Sequence, residues 1–163
     1  MKNKVMDEST RELLDRARRY CALSEQCESG VRQKLITWGA SPDAMDVIVA
    51  KLRADDYIND SRFVHAYCES KVMHQHWSRQ KVLYQLRSKL LPKELIEEGL
   101  RTIDEQAYLH ILAVEAAKKL RMMGGELTLE NHRKLVSFLT SRGYTAAEID
   151  AALSDDFPPE DIQ

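Results

Sequence analysis

The feature that most constrains the fold is a set of six positions that occurs three times along the chain. Successive positions are separated by 4, 4, 2, 4 and 4 residues, and four of the six are apolar in every copy. The fourth position always holds a residue that caps or starts a helix. Repetition at this period is typical of stacked supersecondary units. The three copies are Val31, Leu35, Gly39, Ser41, Met45 and Val49; Val82, Leu86, Leu90, Pro92, Ile96 and Leu100; and Leu135, Leu139, Gly143, Thr145, Ile149 and Leu153.

The residues between the apolar positions predict helices joined by tight turns. Gly39 ends one helix, and Ser41-Pro42-Asp43 supplies an N-cap and a proline for the first turn of the next. Gly143 and Thr145 repeat this arrangement, and Asp60-Ser61 offers a further N-cap. The chain has only six glycines and four prolines, and it shows no long alternating strand pattern. We therefore predict nine helices.

The predicted fold is an all-α, elongated, solenoid-like stack of three tandem three-helix repeats. A unit of about 50 residues buries too little surface to be stable alone, so neighbouring units would share their apolar faces. An ordinary helical bundle whose helices share spacings is the alternative. The predicted division is an N-terminal extension (residues 1–11), three repeats (12–58, 59–104 and 105–154) and an acidic C-terminal tail (155–163).

The composition of the chain is typical of a folded protein from a reducing compartment. Apolar residues make up 44% of the 163 residues and charged residues 31%, which argues against disorder. Cys21, Cys27 and Cys68 follow a polar N-terminus, a pattern that predicts reduced thiols in the cytoplasm. No window approaches the roughly 18 apolar residues that a membrane helix needs, so we expect no membrane partner.

The sequence predicts no catalytic residue, no cofactor and no small-molecule substrate. It contains no glycine-rich phosphate loop, nucleophile elbow or zinc-protease motif. The acidic segment Asp55–Asp60 lacks the glycine and the distal glutamate of a calcium loop, and is better interpreted as a link between repeats. Cys68, His74 and His76 lack the paired spacings of a zinc site, so we expect no metal and treat Cys21 and Cys68 as core residues.

Local charge is more informative than the net charge of −2. From Lys71 to Lys93 there are six Lys or Arg residues and no Asp or Glu. The predicted helix from Trp77 to Leu90 would bury Leu90, and Trp77 is interpreted as a core or interface anchor. A basic middle predicts a patch for an anionic partner, and a solvated helix face is the alternative. The candidate partner-binding residues are Arg18, Arg19, Arg32, Lys71, Arg79, Lys81, Arg87 and Lys89.

Several segments, in their order along the chain, resemble the RecX family of regulators of the RecA recombinase. The resemblance covers residues 12 to 153, and the sequence departs from the family pattern at Val64, where alanine is usual, and at Ser78, where glycine is usual. The segments that carry it are Tyr20-Cys21, Val31–Leu35, Trp38-Gly39, Asp56–Phe63, Trp77–Val82, Phe138-Leu139 and Arg142–Tyr144.

The resemblance implies a cytoplasmic modulator of homologous recombination, DNA repair and the SOS response. Members of the family bind in the helical groove of the RecA filament on DNA and generally inhibit strand exchange, ATP hydrolysis and repressor cleavage. The expected partners are therefore a recombinase filament, and single- or double-stranded DNA bound through the filament or weakly alone. A sequence-independent helical DNA-binding protein that acts without a recombinase is the alternative, because three-helix units resemble helix-turn-helix modules.

Overall fold

The structure, a computed structural model, describes residues 6–154 and 157–160. Over these residues it contains nine α-helices, one π-helical turn and no strand. The π-helical turn, Glu69–His74, directly continues the fourth helix. Most of the predicted acidic tail and residues 1–5 of the predicted extension lie outside the described residues. The helices are α1 (Glu8–Leu23), α2 (Glu28–Thr37), α3 (Pro42–Ala54), α4 (Asp60–Cys68), α5 (Arg79–Ser88), α6 (Lys93–Arg101), α7 (Glu105–Met122), α8 (Leu129–Ser141) and α9 (Ala146–Ala152).

Short polar side chains start most of the helices. Ser41 and Thr145 cap α3 and α9 as predicted, and each accepts a hydrogen bond from a backbone N–H of the first turn. The cap of α4 was predicted wrongly at Asp60-Ser61. Asn59 caps this helix, because its Oδ1 accepts from the backbone N–H of Arg62 at 3.0 Å, whereas Asp60 is already helical. Helix α1 begins at Glu8, four residues before the predicted start of the first repeat.

The helices pack in consecutive groups of three, and the predicted all-α repeat fold is confirmed. Helices α1 to α3 contact one another, as do α4 to α6 with the π-helical turn, and α7 to α9. We call these groups the first, second and third units; their boundaries as residue ranges remain a prediction. The π-helical turn also contacts α7 and so joins the second unit to the third. No helix within the described residues is long and apolar enough to cross a membrane.

The buried apolar side chains form two clusters rather than three. The first unit has a core of its own, built on residues such as Leu14, Leu35 and Leu52. The second and third units share one core, in which Val72 lies in the same cluster as Leu112. From the first unit, only Cys27 belongs to this shared core. The first unit is therefore attached to the second mainly by polar contacts.

The third position of the repeat has the same backbone conformation in all three copies. Gly39, Leu90 and Gly143 each follow the end of a helix and have positive φ angles of 84°, 62° and 95°. This is the left-handed conformation that commonly terminates a helix and that glycine adopts without steric cost. The expectation that Leu90 is buried is wrong, because the turn directs it outward and leaves it 84% exposed. Leu91 is buried in its place.

Helices α4 and α6 approach closely at a glycine. A Cβ atom at Gly99 would overlap Cγ1 of Val64 and would lie 3.5 Å from Sγ of Cys68. Val64 and Cys68 are both fully buried at this contact. The valine that departs from the family pattern is thus accommodated by the glycine opposite it.

Replacing Leu90 with glycine should stabilise the protein. Leu90 has a strained positive φ and, being exposed, contributes little burial, so we expect Leu90→Gly to raise the free energy of unfolding by about 0.5–1 kcal/mol. Leu129→Gly is the control, because this exposed leucine starts α8 and its replacement should lower stability by a similar amount. Urea denaturation measures the stability of both variants. A Leu90→Gly variant that is less stable than the unmodified protein would show that the backbone at Leu90 is not strained.

Gly99→Ala and Val64→Ala should be strongly coupled. Alone, Gly99→Ala should cost about 1–2 kcal/mol, since the overlap outweighs the better helix propensity of alanine. In the Val64→Ala background the added methyl group fills space that the valine has left, so the same change should be neutral or stabilising. A double-mutant cycle by urea denaturation should give a coupling energy of about 1–3 kcal/mol. If the effects of the two substitutions add to within about 0.5 kcal/mol, residues 64 and 99 are not in the close contact described.

Candidate anion-binding surface

Three lysines converge on two aromatic rings in the second unit. The rings of Tyr67 and Trp77 meet edge to face, with centroids 6.5 Å apart. Nζ of Lys81 lies 3.8 Å from the centroid of the Trp77 ring, and Nζ of Lys71 lies 4.7 Å from it. Nζ of Lys89 lies 6.0 Å from the Tyr67 centroid. We call these five residues the Trp77 cluster.

The backbone around the π-helical turn brings these residues together. Lys71 lies in the turn, one helical step after Tyr67, and its carbonyl accepts a hydrogen bond of 2.8 Å from the backbone N–H of Trp77. The chain reverses at His76, whose φ of 56° is left-handed. Ser78 then caps α5, so that Lys81 follows Trp77 by about one turn. π-helical turns occur frequently at functional sites.

The lysines of the Trp77 cluster keep their charge available to a ligand. Lys71 donates a hydrogen bond of 3.1 Å to Oε1 of Gln75. Among the described residues, no carboxylate forms an ion pair with any of the three lysines. Tyr84 on the adjoining face of α5 is 73% exposed. Three positive charges beside accessible ring surface form a site to which an anion would be attracted.

Two candidates of the first unit are already paired with acidic residues. Arg18 lies 3.0 Å from Asp55, and the hydrogen bond from Arg18 is the largest cause of the lowered pKa of this carboxyl. Arg32 lies 2.8 Å from Glu28, and the second arginine on this carboxylate is Arg53. Their charge is therefore largely used within the protein. Their role in binding a partner remains a prediction.

The remaining candidates differ in their surroundings. Arg79 forms an ion pair with Glu105, and its guanidinium lies 3.9 Å from the centroid of the Tyr108 ring. Arg19 and Arg87 are exposed and form no ion pair with another described residue. The structure thus brings Lys71, Lys81 and Lys89 together, and places the other five candidates apart from this cluster.

The aspartates of the acidic segment are paired with arginines, and the cysteines are buried or partly buried. Asp55, Asp56 and Asp60 each pair with an arginine. Cys68 is buried, and desolvation raises the pKa of its thiol to about 11, whereas Cys21 is only partly buried. Within the described residues, no three His, Cys, Asp or Glu side chains come close enough to hold a metal ion.

A small polar pocket of about 90 Å³ lies where the second unit meets the third. The hydroxyl of Ser78 accepts a hydrogen bond from the backbone N–H of Lys81 and donates one of 3.0 Å to the carbonyl of Arg142. The imidazole of His76 lies 2.6 Å from the carboxylate of Glu115 on another wall. Trp77, Lys81, Phe138, Leu139, Arg142 and Tyr144 complete most of the lining.

Sequence reasoning missed a second group of cations, in the third unit. Nζ of Lys119 and Cζ of Arg142 lie 4.7 Å and 5.1 Å from the centroid of the Phe138 ring. Lys119 and Phe138 also line a groove between α7 and α8 that includes Arg133 and Lys134. A partial signal was present, because Lys134, Phe138 and the C-cap residue Arg142 are spaced four residues apart and so follow one face of α8. We call these five residues the Phe138 groove.

The fold and this surface define an all-helical tandem-repeat protein whose second and third units carry clustered cations over aromatic rings. Residues 59–100 match the family model described as RecX, second three-helix domain. The regulatory protein RecX of Prosthecochloris aestuarii is 28% identical over 153 residues, which are 93% of this chain and 97% of that protein. The regulatory protein RecX of Caldanaerobacter subterraneus subsp. tengcongensis is 30% identical over 78% of this chain and 61% of its own length.

A solved structure agrees in fold. The crystal structure of RecX from Lactobacillus salivarius superimposes with a TM-score of 0.80 at 17% identity, covering 90% of this chain and 95% of that one. In sequence the chain is thus similar to the regulatory proteins named RecX over nearly its whole length, and its fold is that of a solved RecX structure. The resemblance seen in the sequence is therefore confirmed.

The lysines should concentrate anions around Trp77. In a Trp38→Phe background, where Trp77 is the only tryptophan, iodide should quench the fluorescence more efficiently than caesium. Lys71→Gln combined with Lys81→Gln should lower the ratio of the two quenching constants by about twofold or more at an ionic strength of about 0.1 M. An unchanged ratio in the folded variant would mean that these charges do not act at the ring.

Proposed function

We propose that this protein regulates a RecA-type recombinase by binding in the groove of the recombinase–DNA filament. It slows ATP hydrolysis, strand exchange and repressor cleavage there, and it thereby modulates homologous recombination, DNA repair and the SOS response. It acts in the cytoplasm and by binding alone, without catalysing a reaction of its own. The proposal is supported by the similarity of this chain to proteins that are named regulatory protein RecX.

The single observation that carries the proposal is the Trp77 cluster. A protein–DNA filament presents nucleic-acid phosphates, and phosphates bind lysine ammonium groups. Lys71, Lys81 and Lys89 have no acidic partner among the described residues, so a ligand need not displace an internal ion pair to reach them. Arg18 and Arg32, by contrast, would have to leave Asp55 and Glu28.

Removing two charges from the Trp77 cluster should weaken the action on the filament. If each contact is worth roughly 0.5–1 kcal/mol, Lys71→Gln with Lys81→Gln should raise the protein concentration for half-inhibition about 5- to 30-fold. The measurement is ATP hydrolysis by the recombinase on single-stranded DNA, with repressor cleavage as a second readout. The inhibition by the unmodified protein should also weaken as salt rises.

Lys51→Gln with Lys93→Gln is the matched control for this experiment. It removes the same net charge from two exposed lysines of α3 and α6, which pair with Asp55 and Glu97. We expect less than about a twofold change, since exposed pairs contribute little to stability and lie outside the cluster. An equal loss in both variants would indicate a non-specific effect of net charge. No effect of the unmodified protein on its recombinase at any ratio would leave the recombinase-independent DNA-binding protein as the better explanation.

A further inference from the structure

The turn between α7 and α8 presents three apolar side chains to solvent. In the described part of the chain eight large apolar side chains are exposed, and Met122, Leu127 and Leu129 are three of them. Met122 is 80% exposed and Leu129 is 68% exposed. The side-chain amide of Asn131 in α8 donates a hydrogen bond of 2.8 Å to the carbonyl of Glu126, which closes the turn onto the helix. We call Met122, Leu127 and Leu129 the apolar turn.

The surroundings of the apolar turn are those of a protein–protein contact. Clustered apolar side chains on a surface mark interaction sites, and the terminal units of repeat proteins normally carry a polar outer face. From Lys118 to Lys134 there are five Lys or Arg residues and two Glu. Arg133 of the Phe138 groove is exposed, forms no ion pair with another described residue and follows Leu129 by one helical turn. A matching surface would combine an apolar groove with acidic residues.

The first unit has a groove with both properties, between the beginnings of α1 and α3. Its volume of about 230 Å³ exceeds the roughly 150 Å³ of an apolar cavity that holds benzene, so it can accept a leucine side chain. Met6, Ala44 and Val47 contribute apolar surface, and Val47 is exposed. Asp7 and Asp43 also line the groove. We call it the α1–α3 groove.

We propose that the apolar turn of one copy of this protein inserts into the α1–α3 groove of a second copy. The two surfaces lie on different units, the third and the first, so the contact is heterologous and joins copies head to tail, in an open chain or a closed ring. The proposal goes beyond the proposed function and does not rest on it, because neither surface includes a residue of the Trp77 cluster.

Charge complementarity favours a second copy as the occupant of the groove. Asp43 is exposed in the groove and forms no ion pair with another described residue, and the same holds for Arg133 beside the turn. Insertion of the turn would bring these opposite charges together at the rim of an apolar contact. Three apolar side chains and one ion pair make a small interface, so the association belongs to the weak, transient class.

Sedimentation velocity tests the contact on the unmodified protein alone. The weight-average sedimentation coefficient should rise with protein concentration between about 10 μM and 1 mM, the range of weak association. Leu127→Ser with Leu129→Ser should raise the dissociation constant about tenfold or more, because two leucines lose their burial. Leu23→Ser with Leu90→Ser is the matched control: it removes two equally exposed leucines outside both surfaces and should change the constant by less than about twofold.

A mixing experiment distinguishes the heterologous contact from a symmetric one. Val47→Lys places a charge in the groove and should abolish association as Leu127→Ser/Leu129→Ser does. Neither variant should associate alone, whereas an equimolar mixture should form dimers, because one variant keeps the groove and the other keeps the turn. A mixture that stays monomeric, with both variants folded by circular dichroism, would overturn the proposal.

Charge reversal tests the pairing of the two surfaces. Asp43→Lys and Arg133→Glu should each weaken association about 3- to 10-fold, since each places like charges opposite one another. A chain with both substitutions carries the reversed pair and should recover to within about threefold of the unmodified protein. A folded double variant that does not recover would show that the turn does not enter the groove.

Two further outcomes would overturn the proposal. The first is an unmodified protein that remains monomeric over the whole concentration range. The second is association that appears only after removal of residues 2–5, which would assign the groove to that segment of the same chain. Inhibition of the recombinase is measured separately, so either outcome leaves the proposed function standing.

Discussion

The core that the second and third units share is the constraint on which the arrangement of the surface depends. Helices α4 to α9 enclose a single apolar cluster, in which Val72 of the π-helical turn and Leu139 of α8 both take part. Two hydrogen bonds fix the surface edge of this core, from the Tyr144 hydroxyl to the carbonyl of His76 and from the Ser78 hydroxyl to the carbonyl of Arg142. Because protein interiors are packed at crystal-like density, the helices that carry these cations keep a fixed relation to one another.

The first unit is joined to the second by polar contacts rather than by a shared apolar core. Its boundary with the second unit is polar: Arg53 bridges Glu28 and Asp60, and the Ser29 hydroxyl donates a bond of 2.6 Å to the carbonyl of Lys89. Within the first unit, Arg18, Arg32 and Arg53 are each paired with acidic residues of the protein itself. A count of basic residues in the sequence treats every positive charge as available to an external anion. In the structure, some of these charges are already paired with carboxylates of the same protein.

The sequence could predict what depends on local spacing. Helix caps at Ser41 and Thr145 follow from turn chemistry, and they are confirmed. Most of the apolar positions of the repeat are buried, whereas Met45, Leu100 and Leu153 are only partly buried. Leu90 was mispredicted because its position in the repeat determines its backbone conformation, while its apolar character suggested burial. The convergence of lysines on Trp77 depends on a π-helical turn that has no sequence period. Lys119 meets Phe138 only through tertiary packing, and its neighbours in sequence are not uniformly basic.

The two departures from the family pattern each place a side chain against a glycine of a neighbouring element. Val64 is larger than the usual alanine and faces Gly99, and Ser78 is larger than the usual glycine and faces Gly143. A Cβ atom at Gly143 would lie 2.6 Å from Oγ of Ser78, so the serine occupies space that only a glycine opposite it leaves open. Each of these side chains thus packs against a glycine, and a Cβ atom on either glycine would overlap it. The Ser78 hydroxyl moreover acquires a partner in the third unit that glycine could not bind. The serine therefore adds a hydrogen bond across the boundary between the second and third units, at the pocket that Lys81 and Arg142 both line.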